Sequence, residues 1–209
     1  MIIYVFWSRS FVLRINGCRF MVYLRILIQP LTHLDPVVID NVVSVLKDTF
    51  ADVIVDVNGN VLSPPISAYN WSRAQYNSDK VLEWLYGSMG GLGYDVVVGI
   101  GDLDAYVGGL NFVFGEASSN LRVCVVYLRR LKSEFYGFRQ DYNKFIERIR
   151  KEVIHEVGHV LGLGHCLYPG CVMNFSNSIF EVDRKSRYFC RQCAGLLLKR
   201  GIKVKEILT

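Results

Sequence analysis

Three of the chain's four histidines fall within one stretch of eleven residues, His155-Glu156-Val157-Gly158-His159-Val160-Leu161-Gly162-Leu163-Gly164-His165, which reads HExxHxxGxxH. Residues four apart on a helix are separated by only about 40° around its axis, so His155 and His159 point the same way and can share one ion. Glu156 is turned about 100° from His155, placed to reach a metal-held water without ligating the metal. Gly162 can take the left-handed conformation that ends a helix, after which the chain doubles back and His165 supplies a third nitrogen. Three neutral imidazoles leave zinc's fourth position open to water, the mark of a catalytic rather than a closed site. With this composition the five specified positions would recur by chance with probability on the order of 10⁻⁵, so the signal is specific. The chemistry it predicts is hydrolysis. Zinc lowers the pKa of its water toward ~7 and polarises the scissile carbonyl, while Glu156 takes the water's proton and returns it to the leaving amine. His33, alone in a loop, is read as incidental.

A second constellation follows at once. Cys166 and Cys171 are separated by four residues, and Cys190 and Cys193 by two. Two close pairs of thiolates fit a closed tetrahedral zinc site, and the Tyr168-Pro169-Gly170 turn lets the first pair converge. Two disulfides or four buried thiols are the alternatives. Both fit less well with a chain that shows no secretion signal and is expected in the cytoplasm. Because Cys166 directly follows His165, this second ion would stiffen the segment that presents the third histidine. Two zinc ions per chain are therefore expected, one catalytic and one structural. Cys124, inside the apolar run Val123 to Leu128, reads as a buried hydrophobe.

These residues need a frame. The run from Asp141 to Leu163 has no proline, and Phe145, Ile146, Ile149, Val153, Val157 and Val160 give it a core face, so it predicts one long helix carrying the first two histidines. Upstream, MVYLRILIQP from Met21 reads as a strand and Pro36 to Phe50 as an amphipathic helix with Asp35 as its N-cap. ADVIVDVNGN reads as a strand closed by an Asn-Gly turn, Ser72 to Tyr86 as a second helix, and YDVVVGIGD as a doubly buried strand. LNFVFGEA and LRVCVVYL add two short strands. Alternating strands and helices imply crossover units, so the fold class is α/β, in the α+β sense of a mixed but mostly parallel twisted sheet with packed helices.

Of 209 residues, 51% are hydrophobic and 21% charged, enough apolar surface for a sizeable core and too much for intrinsic disorder. No stretch reaches the ~18 apolar residues of a membrane helix. The net charge of +5 is scattered, with Lys199, Arg200, Lys203 and Lys205 near the end, and does not single out nucleic acid as a partner. Residues 1–20 read as an extension before the domain, with Met21 a candidate start.

HExxHxxGxxH followed eight residues later by the methionine of Cys171-Val172-Met173-Asn174 resembles the metzincin metalloproteases. Within that clan, the cysteine after the third histidine, the second cysteine before the methionine and the later CxxC are similar to the archaemetzincin family. The resemblance covers most of residues 21–198. It implies a metzincin-like fold divided at Gly162, with residues 21–162 forming an N-terminal subdomain and 163–209 a smaller zinc-stabilised C-terminal one. It makes Met173, otherwise an ordinary core methionine, the Met-turn residue. It makes Phe112, Val113, Phe114 and Gly115 an edge strand against which an extended peptide pairs. In metzincins such as the astacins a tyrosine lies two residues after that methionine, and here Phe175 brings no hydroxyl. Cys18 has no motif that would make it a cap on the zinc.

The expected function is zinc-dependent hydrolysis of peptide bonds by a monomer, acting on peptide or protein with no nucleic-acid or membrane partner. The alternatives are a zinc-stabilised nucleic-acid or protein binding module with a vestigial site, against which the intact Glu156 argues, and a small-molecule amide hydrolase, which cleft length would distinguish. Loops around Gly108 to Asn111 and Ser176 to Glu181 would set specificity.

Overall fold

In a computed structural model, which describes residues 14–15, 18–19 and 23–208, the apolar runs form a five-stranded sheet between two layers of helix. Its strands are β1 (Leu24–Pro30), β2 (Val53–Val57), β5 (Val96–Gly101), β7 (Gly115–Ser118) and β8 (Val123–Tyr127). A second sheet of three short strands is made by β3 (Tyr69–Asn70), β4 (Gln75–Asn77) and β6 (Ala105–Tyr106). The large sheet runs β2-β1-β5-β8-β7, parallel throughout except for β7, which pairs antiparallel with β8 and forms one edge. Residues Arg14–Ile15 pair antiparallel with Cys18–Arg19. The readings of residues 1–20 as an extension and of Met21 as a strand start lie outside the described residues, as does the Cys18 side chain.

The period-two alternation of the central strands divides the core. Ile26 and Ile28 of β1, Val96 and Val98 of β5 and Val126 of β8 face one layer, while Leu27, Val97 and Val125 face the other. The first layer holds α1 (Pro36–Thr49) and α3 (Tyr142–Val160), and the second holds α2 (Ser78–Met89). Helix α1 begins as expected, with Asp35 accepting from the Val37 amide at 2.9 Å and proline at its first position. Cys124 is fully buried in β8, as its apolar surroundings imply.

Two boundaries differ from expectation. The helix expected from Ser72 begins at Ser78, because Ala74 takes a positive φ of 53° in the turn joining β3 to β4, and Asn77 caps α2 by accepting from the Lys80 amide at 3.0 Å. The Tyr76 that matched a helical period lies in β4. In LNFVFGEA only the last three residues join the regular strand β7; Val113 instead makes an isolated bridge to Ala105 of the small sheet.

Beyond α3 come two short helices, α4 (Ile179–Arg184) and α5 (Arg191–Lys199). Their apolar residues join the layer of α1 and α3, with the Phe189 ring 6.1 Å from that of Phe50. The tail returns to the end of α1, where the Lys205 amide donates to Thr49 and the Ala51 amide to Lys203. No helix among the described residues is long and apolar enough to cross a membrane.

Candidate metal centres and active-site cleft

Helix α3 carries His155, Glu156 and His159 in its last two turns and then stops. Its end is set by Gly162, whose φ of +88° reverses the chain, while the Leu163 amide donates back to Gly158. His165 is thereby returned to the histidine pair: candidate ligand nitrogens of His155, His159 and His165 all lie within 4.8 Å of one another. Two carbonyls fix the ring orientations. The Nδ1 of His155 is 2.8 Å from the Val172 carbonyl and that of His159 is 2.8 Å from the Leu163 carbonyl. A carbonyl can only accept, so each Nδ1 carries the proton and each Nε2 presents a lone pair. Those two Nε2 atoms face each other at 3.0 Å with no proton between them to share. Such an arrangement calls for a cation, so the residues present fit a zinc ion. Burial holds all three imidazoles below the ordinary histidine range, helped by the Lys185 ammonium and, for His155 and His159, by neighbouring histidines. Neutral imidazole is the ligating form.

Glu156 is buried behind these rings, and burial, reinforced by the carboxylates of Glu152 and Glu116 and opposed by Lys185, pushes its carboxyl well above the usual range. It meets the edge strand at Gly115: a Cβ there would come within 2.5 Å of Glu156 Oε1. Gly158 plays the same part on the opposite side, where a Cβ would come 2.5 Å from Met173 Sδ. Met173 is fully buried, and its carbonyl accepts from the Cys166 amide at 2.9 Å.

Around this group opens a cleft of about 440 Å³. Phe112, Phe114 and Gly115 line one wall, and Phe175, Ser176 and Asn177 another. All four residues expected of the edge, Phe112, Val113, Phe114 and Gly115, border it. The Phe175 ring stands edge-on to His165 with centroids 5.0 Å apart. Leu110 and Ser176 come from the two loops singled out as specificity loops.

The four cysteines also converge. Cys166 and Cys190 sulfurs are 3.8 Å apart, as are those of Cys171 and Cys193. A disulfide needs about 2.05 Å, whereas zinc–sulfur bonds of ~2.3 Å in a tetrahedron give sulfur separations of ~3.8 Å. The cluster therefore fits a closed zinc site and not a pair of disulfides. The Tyr168 amide donates to Cys166 Sγ and the Cys190 amide to Cys171 Sγ. Burial raises Cys171 to about 11 and raises Cys193 as well, so metal entry there would release protons.

The family profile described as Peptidase family M54 matches residues 21–200. The chain belongs to that family. A relative named archaemetzincin from Saccharolobus solfataricus is 43% identical over 181 residues, covering 86% of this chain and 96% of that one. The archaemetzincin of Sulfolobus acidocaldarius is 43% identical over 173 residues, 83% of this chain and 96% of its own. Among solved structures, the archaemetzincin of Methanopyrus kandleri matches with a TM-score of 0.75 at 36% identity, covering 85% of this chain and 95% of that chain. That of Archaeoglobus fulgidus, complexed with malonate, matches with a TM-score of 0.69 at 38% identity, covering 82% and 98%. The M54 chain is thus a zinc metallopeptidase, and its mixed, mostly parallel sheet with packed helices is the archaemetzincin fold.

Several parts of this M54 site escaped the motif reading. Gly115 and Gly158 act by lacking a side chain, and the Val172 and Leu163 carbonyls by backbone position, so no residue-type pattern marks them. Glu152 and Lys185 form a buried ion pair of 2.8 Å beside His155. Glu152 precedes Glu156 by one helical turn, a spacing legible in the sequence; nothing there pointed to Lys185. His33 is exposed and takes no part in either cluster.

Proposed function

We propose that this metallopeptidase hydrolyses peptide bonds with Glu156 as general base and His155, His159 and His165 as ligands of a catalytic zinc, a second zinc being held by Cys166, Cys171, Cys190 and Cys193. The observation that carries the reading is the placement of Glu156, buried beside the three imidazoles and pressed against Gly115 on the cleft wall. Zinc bound by the histidines supplies Lewis acidity that makes water easier to deprotonate and a carbonyl easier to attack. Glu156 receives the proton of the attacking water and delivers it to the leaving amine.

Strand β7 is the open edge of the large sheet, and an extended peptide pairing there and with Phe112 to Phe114 would lay its scissile bond across the histidines. An open wall of this kind favours a polypeptide over the small amide substrates of the alternative reading. Met173 packs against Gly158 and fixes the turn below the ligand helix. Residues 21–162 and 163–209 are read as two subdomains flanking the cleft. The metal-binding thiols suit a reducing, cytoplasmic setting.

Profiling a diverse peptide library by mass spectrometry, with the zinc-loaded protein and its Glu156→Ala variant in parallel, tests the reading. Cleavage by the parent alone is expected, with the zinc content of the variant unchanged. Equal cleavage by both, or none by either, would overturn it.

A further inference from the structure

We propose that the Lys185–Glu152 ion pair is a positioning device that holds the turn Val172–Asn174 against α3, keeping the Val172 carbonyl on His155 Nδ1 so that Nε2 faces the metal. The inference rests on His155 being a zinc ligand, as in the function proposed above. Lys185 Nζ lies 2.8 Å from Glu152 Oε1, and the two side chains are only 2% and 3% exposed. The same ammonium is 3.4 Å from the Asn174 carbonyl and 3.4 Å from His155 Nδ1. It therefore touches the helix that carries the first two histidines, the turn that carries Met173, and the ring between them.

A buried ion pair is a poor stabiliser, since an apolar pair of similar volume often folds as well or better. Its geometric consequence is more specific. Lys185 follows α4, and its neighbour Ser186 donates its amide to Gly170, so the ammonium reaches α3 from the segment packed beside the turn. Glu152 lies three residues before His155 on the same helix. Glu152 draws the ammonium by charge at 2.8 Å and the Asn174 carbonyl accepts from it at 3.4 Å, so that Nδ1 keeps its proton for Val172. Without Glu152, Lys185 would turn its protons toward Nδ1, which competes with the Val172 carbonyl for the ring and favours the tautomer whose Nε2 cannot ligate.

The test compares the full-length parent with the double variant Glu152→Leu/Lys185→Met, which removes both charges and orphans neither. Measured are near-ultraviolet circular dichroism, zinc affinity of the histidine site by chelator competition, and visible absorption of the cobalt-substituted protein. The expected result is a native fold with histidine-site affinity reduced 10- to 100-fold, the range typical of lost second-layer partners, and a shifted cobalt spectrum. Parent affinity and an unchanged spectrum in the folded double variant would overturn the proposal. Should the double variant not fold, Glu152→Gln keeps the shape and removes the charge that holds Lys185: lowered affinity supports the proposal and parent affinity overturns it. A parent that binds no metal at the histidines would instead sink the zinc assignment itself, so the two failures are distinguishable.

Discussion

A methyl group at Gly115 would stand 2.5 Å from Glu156 Oε1, closer than carbon and oxygen can approach without overlap, so the edge strand and the Glu156 carboxyl are fitted to each other. Gly115→Ala is expected to move Glu156 or push β7 outward. Misplacement by about 1 Å can cost a factor of ~10² in rate, so kcat should fall by about that factor while zinc content is unchanged. Steady-state kinetics and metal analysis check this, and full activity would show that the contact carries nothing. The contrast between Glu156 and Gly115 shows what was legible. The convergence of the three histidines and of the four cysteines was legible, because chemistry restricts candidate metal sites to few residue types at helix-dictated spacings. Gly115 was expected only as a strand position. Its function is an absence of atoms opposite a residue 41 positions later, which no local pattern encodes.

Helices α3 and α4 are joined by two cations of α3, Arg148 and Lys151, and by Lys185 at the end of α4. Arg148 makes a two-pronged pair with Asp183 at 2.7 and 2.8 Å, Lys151 caps the carbonyls of Val182 and Asp183, and Lys185 reaches Glu152. Arg148 is buried and also donates to the Leu131 carbonyl and Ser133 Oγ. Hydrogen bonds from Arg148 hold the Asp183 carboxyl below its ordinary value. A depressed carboxyl pKa contributes stability that is complete above the unfolded value of ~3.9 and is lost as pH falls through the folded one. Asp183→Asn should therefore lower stability by roughly 1–3 kcal/mol at pH 7, discounted for partial exposure, with the deficit shrinking below about pH 4. Denaturant melts across pH check it; a deficit independent of pH would contradict the linkage. At this scale periodicity served best where elements are long. Helices α1 and α3 match their expected spans closely. The three-stranded sheet did not emerge, because strands of two or three residues carry no period and the turn at Ala74 depends on a positive φ that alanine does not advertise.

Across the whole molecule, the cysteine cluster closes the fold. Cys171, Cys190 and Cys193 are buried among the same apolar residues as α1 and α3, and the tail beyond α5 laces back to Thr49 and Ala51. Because zinc binding at such a site is folding free energy, Cys190→Ser is expected to lower the melting temperature by roughly 10 °C or more. Differential scanning calorimetry would show it, and an unchanged midpoint would refute a structural metal. The mostly parallel sheet followed from the order of elements, whereas the return of the tail to α1 is a long-range contact without a local signature. Zinc K-edge X-ray absorption on purified, metal-quantified protein tests the central claim most directly. Two zinc ions per chain are predicted, with a mixed shell of sulfur at ~2.3 Å and nitrogen or oxygen at ~2.0–2.1 Å. One zinc per chain with sulfur neighbours alone would contradict it, leaving the three histidines without the ion that their geometry fits.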